Sequence, residues 1–140
     1  MRILSIHAEK FWWKVKQPAR ISVRDKLIDE NKEFEASNVL VAFIAVERKD
    51  EEELEKTCRK AVDAIIEVAG RIGVKTVILY PYAHLSTNLS KPQNAVKALK
   101  IIYELLKDRE FEVYKSPFGY YKEFILHCKG HPLAESLRVI

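Results

Sequence analysis

The chain of 140 residues is 48% hydrophobic and 31% charged, which is typical of a folded globular protein and excludes a disordered one. This length suits one domain with its own core, and no apolar run approaches the roughly 20 residues that span a bilayer. The net charge of +4 permits an anionic partner such as RNA without requiring one. Because the chain has two cysteines and no signal-peptide pattern, we expect a protein of the reducing cytoplasm.

The first part of the chain predicts strands. Residues 1–7 (MRILSIH) favour a first strand, and residues 11–15 (FWWKV) favour a second strand close by. Residues 16–37 are polar and irregular, which predicts a long surface segment. Residues 38–47 (NVLVAFIAVE) form an almost continuous apolar run, typical of a strand that is buried on both faces.

The middle of the chain predicts alternating helices and strands. An amphipathic helix is expected from Asp50 to about Gly73, because acidic side chains favour a helix start and glycine favours a helix end. Residues 75–80 (KTVILY) predict a buried strand. A second amphipathic helix follows, with Pro92 in its first turn, where proline is tolerated.

The last part of the chain predicts two more strands, at residues 111–115 and 120–128. The resulting order is β–β–β–α–β–α–β–β, without an internal repeat or an interdomain linker. Strands that alternate with helices imply parallel pairing through crossover connections. We therefore expect a single α/β domain over residues 1–140, with a mixed sheet and two crossover helices.

The strand predicted at residues 120–128 contains an unexpected lysine. Successive side chains of a strand point to opposite faces, and the more apolar face should contact the core. That face carries Tyr120, Lys122, Phe124, Leu126 and Cys128. Either the Lys122 amine reaches solvent at the mouth of the strand, or it is partly desolvated and takes part in chemistry. Glu135 is a candidate partner if the tail after Gly130 folds back.

The histidines offer further candidates. His84 lies in the loop YPYAHLS, residues 80–86, after a predicted strand, where ligands gather in α/β sheets, and it is either solvated or functional. His127 and His131 bracket Cys128, but this spacing lacks the paired pattern of zinc sites, so we expect no metal. No GxSxG, Walker or GxGxxG motif is present.

Three motifs lie near the expected ligand-binding edge: YPYAHLS at residues 80–86, PFGYYKEF at 117–124 and CKGHPLAE at 128–135. With the opening RILSIHAE and the strand VLVAFIAVE, they resemble the N-terminal editing domain of archaeal threonyl-tRNA synthetases. The resemblance covers the chain except about residues 16–37. It implies a D-aminoacyl-tRNA deacylase-like fold, a homodimer, and hydrolysis of the ester that joins L-serine to the tRNA for threonine. It implies no cofactor.

The resemblance also implies roles for particular residues. Lys122 is the side chain most implicated in catalysis, and His84, Glu135 and Tyr121 complete its polar surroundings. The residues expected to seat the serine and the terminal adenosine are Pro81, Ala83, Val46, Phe118 and Tyr120. The family has phenylalanine where this chain has Tyr82. Much of the hydrolysis is expected to depend on the substrate's own ribose hydroxyl.

The implied partners are the aminoacylated 3′ end of tRNA and the rest of threonyl-tRNA synthetase, in cis or in trans, since the chain is either freestanding or part of a longer synthetase. Serine and threonine differ by one methyl group, worth only about 1–3 kcal/mol in a favourable pocket, so accurate synthesis needs a second, hydrolytic site. Two other interpretations stay open: a module that binds tRNA or docks a synthetase without catalysis, and a D-aminoacyl-tRNA deacylase.

Overall fold

The computed structural model describes all 140 residues, with nine helices and strands. Their bounds are β1 Arg2–Pro18, α1 Asp29–Lys32, β2 Glu33–Ala45, α2 Leu54–Ile72, β3 Thr76–Pro81, α3 Pro92–Asp108, β4 Glu112–Lys115, β5 Tyr120–Cys128 and β6 Glu135–Val139. Short 3₁₀ turns lie at Arg48–Glu51, before α2, and at Ala83–Leu85, after β3. None of the helices combines the length and the hydrophobicity needed to cross a membrane.

The strands form one mixed sheet. Its order is β4-β3-β2-β1-β5, and β6 pairs with β1 beyond the end of β5. The pairs β2–β3 and β3–β4 are parallel, because helices α2 and α3 carry the chain back between them. Strand β1 is antiparallel to β2, β5 and β6. The predicted mixed sheet with two crossover helices is confirmed.

Helices α2 and α3 cover one face of the sheet. Apolar side chains at spacings of three and four residues form one stripe on each helix, and Cys58, Ile65, Leu99 and Ile102 within these stripes are at most 1% exposed. Full burial of a side chain such as Ile65 stabilises the fold by about 1.5–3 kcal/mol. Gly73 caps the C-terminus of α2, and its φ of 73° is the left-handed conformation that glycine adopts without strain.

A second core lies on the other face of the sheet. Along β2, Leu40 points toward the helices, whereas Val41 and Phe43 point the opposite way. Two strands separate β5 from β3 in the sheet, yet the ring of Phe124 lies 5.5 Å from that of Tyr80. The sheet therefore curls, so that β5 approaches β3 across this face.

The curl has a local cause in β1. The pairing of β1 with β5 shifts register between Ala8 and Lys10 and again between Val15 and Gln17. Irregularities of this kind bend a strand and increase its twist. Strand β1, which is 17 residues long, can therefore pair with β2 along one edge while β5 turns over the second core.

The N-terminal part differs from the prediction. The two strands predicted at residues 1–7 and 11–15 are one continuous strand, β1, so that prediction is wrong. The surface segment predicted at residues 16–37 is also too long, since β1 runs to Pro18 and β2 already begins at Glu33. The irregular part is residues 19–28, followed by the single turn of α1.

The C-terminal strand β6 was not predicted. It pairs with the start of β1 from the register Arg2–Val139 to the register Ile6–Glu135. Its side chains alternate between exposed and half-buried positions, and the strand lies at the edge of the sheet. So short an edge strand gives little hydrophobic pattern from which to predict it.

Candidate functional site

A cleft of about 430 Å³ opens where strands β2 and β3 end. Its walls are mainly hydrophobic and comprise residues 44–46, residues 80–84, Leu89, Ser90, three residues of α3 (Pro92, Ala95 and Leu99), residues 118–122, Phe124, Ala19 and Ile21. We call this space the cleft. A concave site of this size, mostly apolar with a few polar groups, is typical of small-ligand binding.

Lys122 lies in the wall of the cleft, and the loop before β5 holds its amine. The Nζ donates hydrogen bonds to Oγ of Ser116 and to the carbonyl oxygen of Pro117, both at 2.7 Å. It also lies 4.4 Å from the centre of the Tyr80 ring, whose face attracts a cation. The amine is therefore fixed in position and directed by three separate groups.

The surroundings of Lys122 change its protonation. Burial lowers the pKa of the Lys122 amine to about 7, although the negative charge of Asp25 acts in the opposite direction. Near neutral pH the amine is therefore present in both protonation states. Burial raises the pKa of Tyr80, so its hydroxyl stays protonated. A lysine in this state is suited to proton transfer or charge stabilisation at neutral pH.

Tyr82 and His84 come from the turn after β3 and also line the cleft. Their rings lie 5.3 Å apart, edge to face. The backbone N–H of Tyr82 donates to the carbonyl of Ile44 at 2.8 Å, and the hydroxyl of Ser86 donates to Oε2 of Glu47 at 2.7 Å. These two bonds tie the turn to the end of β2.

Glu47 is an anchor for this turn. Its side chain is buried and also accepts a hydrogen bond from the Met1 ammonium at 3.1 Å. Burial raises the pKa of Glu47, but the hydrogen bonds from Ser86 and Met1 outweigh this effect and hold the pKa below its ordinary value. The carboxylate is therefore charged at neutral pH and available to hold the turn.

The structure brings eight of the nine predicted site residues together in the cleft. They are Lys122, His84, Tyr121, Ala83, Pro81, Val46, Phe118 and Tyr120. Two further residues act on the Lys122 amine and were not predicted from the sequence: Ser116 and Asp25. Ser116 is fully buried, but a serine before a proline in a loop has no pattern that would reveal this.

Glu135 does not line the cleft of its own chain. The tail does fold back, but it does so as β6, where Glu135 is exposed and pairs with Ile6 of β1. Lys122 pairs with Val15, nine positions further along the same strand. At about 3.3 Å per residue this separation corresponds to roughly 30 Å along the strand. The expected contact between Glu135 and Lys122 is therefore absent within one chain.

Two of the remaining histidines, His7 and His131, form a separate group. Nδ1 of His7 lies 2.7 Å from Nε2 of His131, and Nε2 of His7 lies 2.9 Å from Oδ1 of Asn38. The N–H of Leu133 donates to Nδ1 of His131 at 3.1 Å. No group of three or more His, Cys, Asp or Glu side chains has the arrangement of a metal site. This histidine pair instead holds residues 129–134 against β1.

Known proteins similar to this chain include synthetases of archaea. The chain is 46% identical over 141 residues to the threonine--tRNA ligase of Staphylothermus marinus and 46% identical over 140 residues to that of Pyrococcus horikoshii. These alignments cover 100% of this chain and 22% of each relative, so the chain spans about a fifth of their length.

A similar solved structure is that of the c-Myc DNA Unwinding Element Binding Protein, with a TM-score of 0.64 over 100% of this chain and 99% of the other. At 10% sequence identity this similarity shows the fold alone, and the D-aminoacyl-tRNA deacylase-like fold expected from the sequence is confirmed. The sequence family described as the archaea-specific editing domain of threonyl-tRNA synthetase matches residues 1–140. The chain belongs to this family of editing domains.

Proposed function

We propose that this domain hydrolyses the ester that joins L-serine to the tRNA for threonine, and so removes serine attached in error. Membership of the editing-domain family supports a proofreading role. The observation that carries the chemical proposal is the Lys122 amine, held in an apolar cleft with a pKa of about 7 and accompanied there by His84. Such a group can act on an ester near neutral pH.

In the proposed reaction, a water molecule adds to the ester carbonyl carbon. The tetrahedral intermediate then breaks its bond to the ribose oxygen, which takes up a proton, so that free serine and tRNA are released. A protonated lysine has three N–H donors, and Ser116 and Pro117 occupy two of them. The third can stabilise the negative charge that develops on the carbonyl oxygen in this low-dielectric site.

The substrate supplies part of the machinery in this proposal. The neighbouring ribose hydroxyl orients the attacking water, while His84 holds the ribose or the amino group of serine in place. Tyr121 borders the cleft and is 57% exposed, so it can contact an incoming RNA end. The gain in rate comes from this positioning together with charge stabilisation.

The walls of the cleft are suited to a small side chain and a base. We place the serine against Pro81, Ala83 and Val46, where the extra methyl group of threonine would meet a tight wall. Phe118 and Tyr120 offer apolar and aromatic surface on which the terminal adenosine can pack. A cleft that admits serine and excludes threonine supplies the second step of selection that an affinity difference of one methyl group does not give.

We also propose that the domain is a homodimer. Leu133, Leu137 and Val139 are 50–60% exposed, and β5 and β6 each have one unpaired edge. Exposed apolar side chains beside open strand edges are typical of an interface. Since Glu135 lies away from the cleft of its own chain, we assign its role to the cleft of the partner copy. Sedimentation of the protein and of Leu137→Lys tests the dimer, which the variant should weaken.

Two macromolecular partners follow from this proposal. One is the aminoacylated 3′ end of the tRNA. The other is the synthesising part of threonyl-tRNA synthetase, in cis or in trans, because the relatives are about five times as long as this chain.

The decisive experiment compares the hydrolysis of matched seryl and threonyl esters of the tRNA for threonine. We expect the seryl ester to be cleaved at least about tenfold faster. Lys122→Met should lower the rate about 100-fold or more, because it removes the only lysine or arginine side chain that lines the cleft. Lys129→Met is the control, since Lys129 follows β5 and pairs with Glu9 outside the cleft.

Two other results would assign a different function to the protein. Cleavage of D-aminoacyl esters with no action on the seryl ester would make the protein a D-aminoacyl-tRNA deacylase. Salt-dependent binding of tRNA without any cleavage would make it a binding module. If Lys122→Met cleaves the seryl ester as fast as the unchanged protein, the catalytic role of Lys122 is wrong.

A further inference from the structure

Residues 19–28, which follow β1, pack directly on the loop of residues 116–120. The backbone N–H of Ala19 donates to the carbonyl of Gly119 at 2.9 Å. Gly119 has a φ of +89°, and a Cβ at this position would overlap Cγ of Arg24. The two segments therefore touch backbone to backbone, without room for a side chain between them.

Asp25 makes three hydrogen bonds to this loop. Its backbone N–H donates to the carbonyl of Phe118 at 3.0 Å, and its Oδ2 accepts from the N–H of Phe118 at 2.9 Å. The hydroxyl of Tyr120 donates to the carbonyl of Asp25 at 2.8 Å. Asp25 is half-buried, and a hydrogen bond that a backbone N–H donates to a carboxylate is stronger than one between neutral groups.

The loop that Asp25 holds is the one that holds the Lys122 amine, through Ser116 and Pro117. We propose that Asp25 is a positioning residue for Lys122: it fixes the shape of the loop of residues 116–120 and supplies a negative charge that acts on the amine. The predicted effect on hydrolysis rests on the proposed function. The effect on the loop rests on the hydrogen bonds of Asp25, and the effect on the amine rests on its charge.

The charges around the cleft support this assignment. No aspartate or glutamate lines the cleft. The ionisable side chains that do are Tyr80 from β3, Tyr82 and His84 from the following turn, and Tyr120 and Tyr121 beside Lys122 on β5. Nζ of Lys115, from β4, lies 4.0 Å from Oδ2 of Asp25 and forms an ion pair with it. Asp25 is thus the carboxylate that opposes the effect of burial on the Lys122 pKa.

The test uses Asp25→Asn and Asp25→Ala, with Glu123→Gln as the matched control. Asparagine keeps an oxygen acceptor for the Phe118 N–H and removes the charge, whereas alanine removes both. Glu123 is adjacent to Lys122 in sequence, but it is exposed and pairs with Lys16 on the other side of β5. The measurements are the NMR titration of the Lys122 side chain, assigned with Lys122→Met, and hydrogen exchange of the Phe118 amide.

We expect Asp25→Asn to lower the midpoint of the Lys122 titration by about 0.5–1 pH unit, because it removes an attractive charge. Asp25→Ala should also speed exchange of the Phe118 amide about tenfold or more, because the loop opens more often. Glu123→Gln should change neither property. An unchanged Lys122 midpoint in Asp25→Asn, or unchanged exchange in Asp25→Ala, overturns the proposal. Neither measurement requires hydrolysis, so these two measurements test the role of Asp25 independently of the ester assay that tests the proposed function.

Discussion

Nζ of Lys122 lies 4.4 Å from the centre of the Tyr80 ring, although two strands separate β5 from β3 in the sheet. The curl of the sheet brings these residues together, and an aromatic core fills the concave side. Phe11 occupies the middle of this core, with ring centres 5.6 Å from Tyr80 and 5.8 Å from Phe124. The geometry of the cleft therefore depends on the packing beneath it as well as on its loops.

We expect Phe11→Ala to lower the free energy of unfolding by about 3–5 kcal/mol, since Phe11 is fully buried and its loss leaves a cavity. The measurement is denaturant unfolding. Trp12→Ala is the control, because Trp12 is adjacent but half-buried on the opposite face of β1. Although it removes a larger ring, it should have the smaller effect. A loss below about 1 kcal/mol for Phe11→Ala would contradict the role of this core.

The lowered pKa of Lys122 predicts how stability depends on pH. In the unfolded chain the amine has its ordinary pKa of 10.5, whereas in the folded protein the pKa is about 7. Between these values the unfolded state binds more protons, so the free energy of unfolding rises with pH by up to about 1.4 kcal/mol per pH unit. Below pH 7 the Lys122 amine is protonated in both the folded and the unfolded protein. The folded protein is then destabilised by the full free-energy cost of the buried charge.

Comparison with Lys122→Met isolates this contribution. The difference in unfolding free energy between the protein and the variant should shift in favour of the protein from pH 7 to pH 10, by up to about 4 kcal/mol in total. Denaturant unfolding at several pH values measures it. A difference that stays constant over this range would show that the amine is as well solvated in the folded state as in the unfolded state.

Gly119→Ala should destabilise the protein through a steric clash. The new methyl group would overlap Cγ of Arg24 and lie 2.8 Å from the carbonyl oxygen of Val23. Gly130→Ala is a matched control, since Gly130 has a similar φ of +71° but open space around its Cβ position. Both variants share a backbone penalty of about 1–2 kcal/mol, and only Gly119→Ala adds the clash, of about 1–3 kcal/mol.

Thermal or denaturant unfolding of the two glycine variants gives the comparison. Gly119→Ala should also reduce hydrolysis, because residues 19–28 must move away from the loop that holds Lys122. Equal loss of stability in both variants would mean that the two segments separate readily and that their contact does not hold the loop.

The sequence predicts those parts of the fold that have a strong hydrophobic period. Helix α2 shows the helical spacing, and β3 is a continuous apolar run, so both were predicted with bounds close to those observed. In β1, the exposed Glu9 and Lys10 interrupt the apolar pattern beside a register shift, and one strand therefore resembles two. The first residues of β2 alternate between exposed and half-buried positions, so the start of that strand also lacks a continuous apolar pattern and was not predicted.

The residues of the site were likewise predictable only where they stand out from a regular hydrophobic pattern. Lys122 was identifiable because a lysine on the apolar face of a strand contradicts the pattern around it. Asp25 lies in a segment without periodicity, and two of its three hydrogen bonds to the loop of residues 116–120 use its backbone, so no pattern of side chains points to it. Glu135 was a candidate partner of Lys122 only if the tail after Gly130 folds back, and the resemblance gave it a role in the site. The tail does fold back, but the pairing of β6 with β1 separates Glu135 from the cleft of its own chain.

The pH dependence of hydrolysis distinguishes the two protonation states of Lys122. If the protonated amine stabilises the oxyanion, the ratio of the rate of the unchanged protein to that of Lys122→Met should fall as pH rises through about 7, where the amine loses its proton. The ratio cancels the faster attack of hydroxide at high pH, which both proteins share. Single-turnover hydrolysis of the seryl ester from pH 6 to pH 9 measures it. In Asp25→Asn this ratio should begin to fall at lower pH, because the protonated Lys122 amine is no longer stabilised by the negative charge of Asp25. A ratio that rises with pH would instead assign the neutral amine as a general base that activates water.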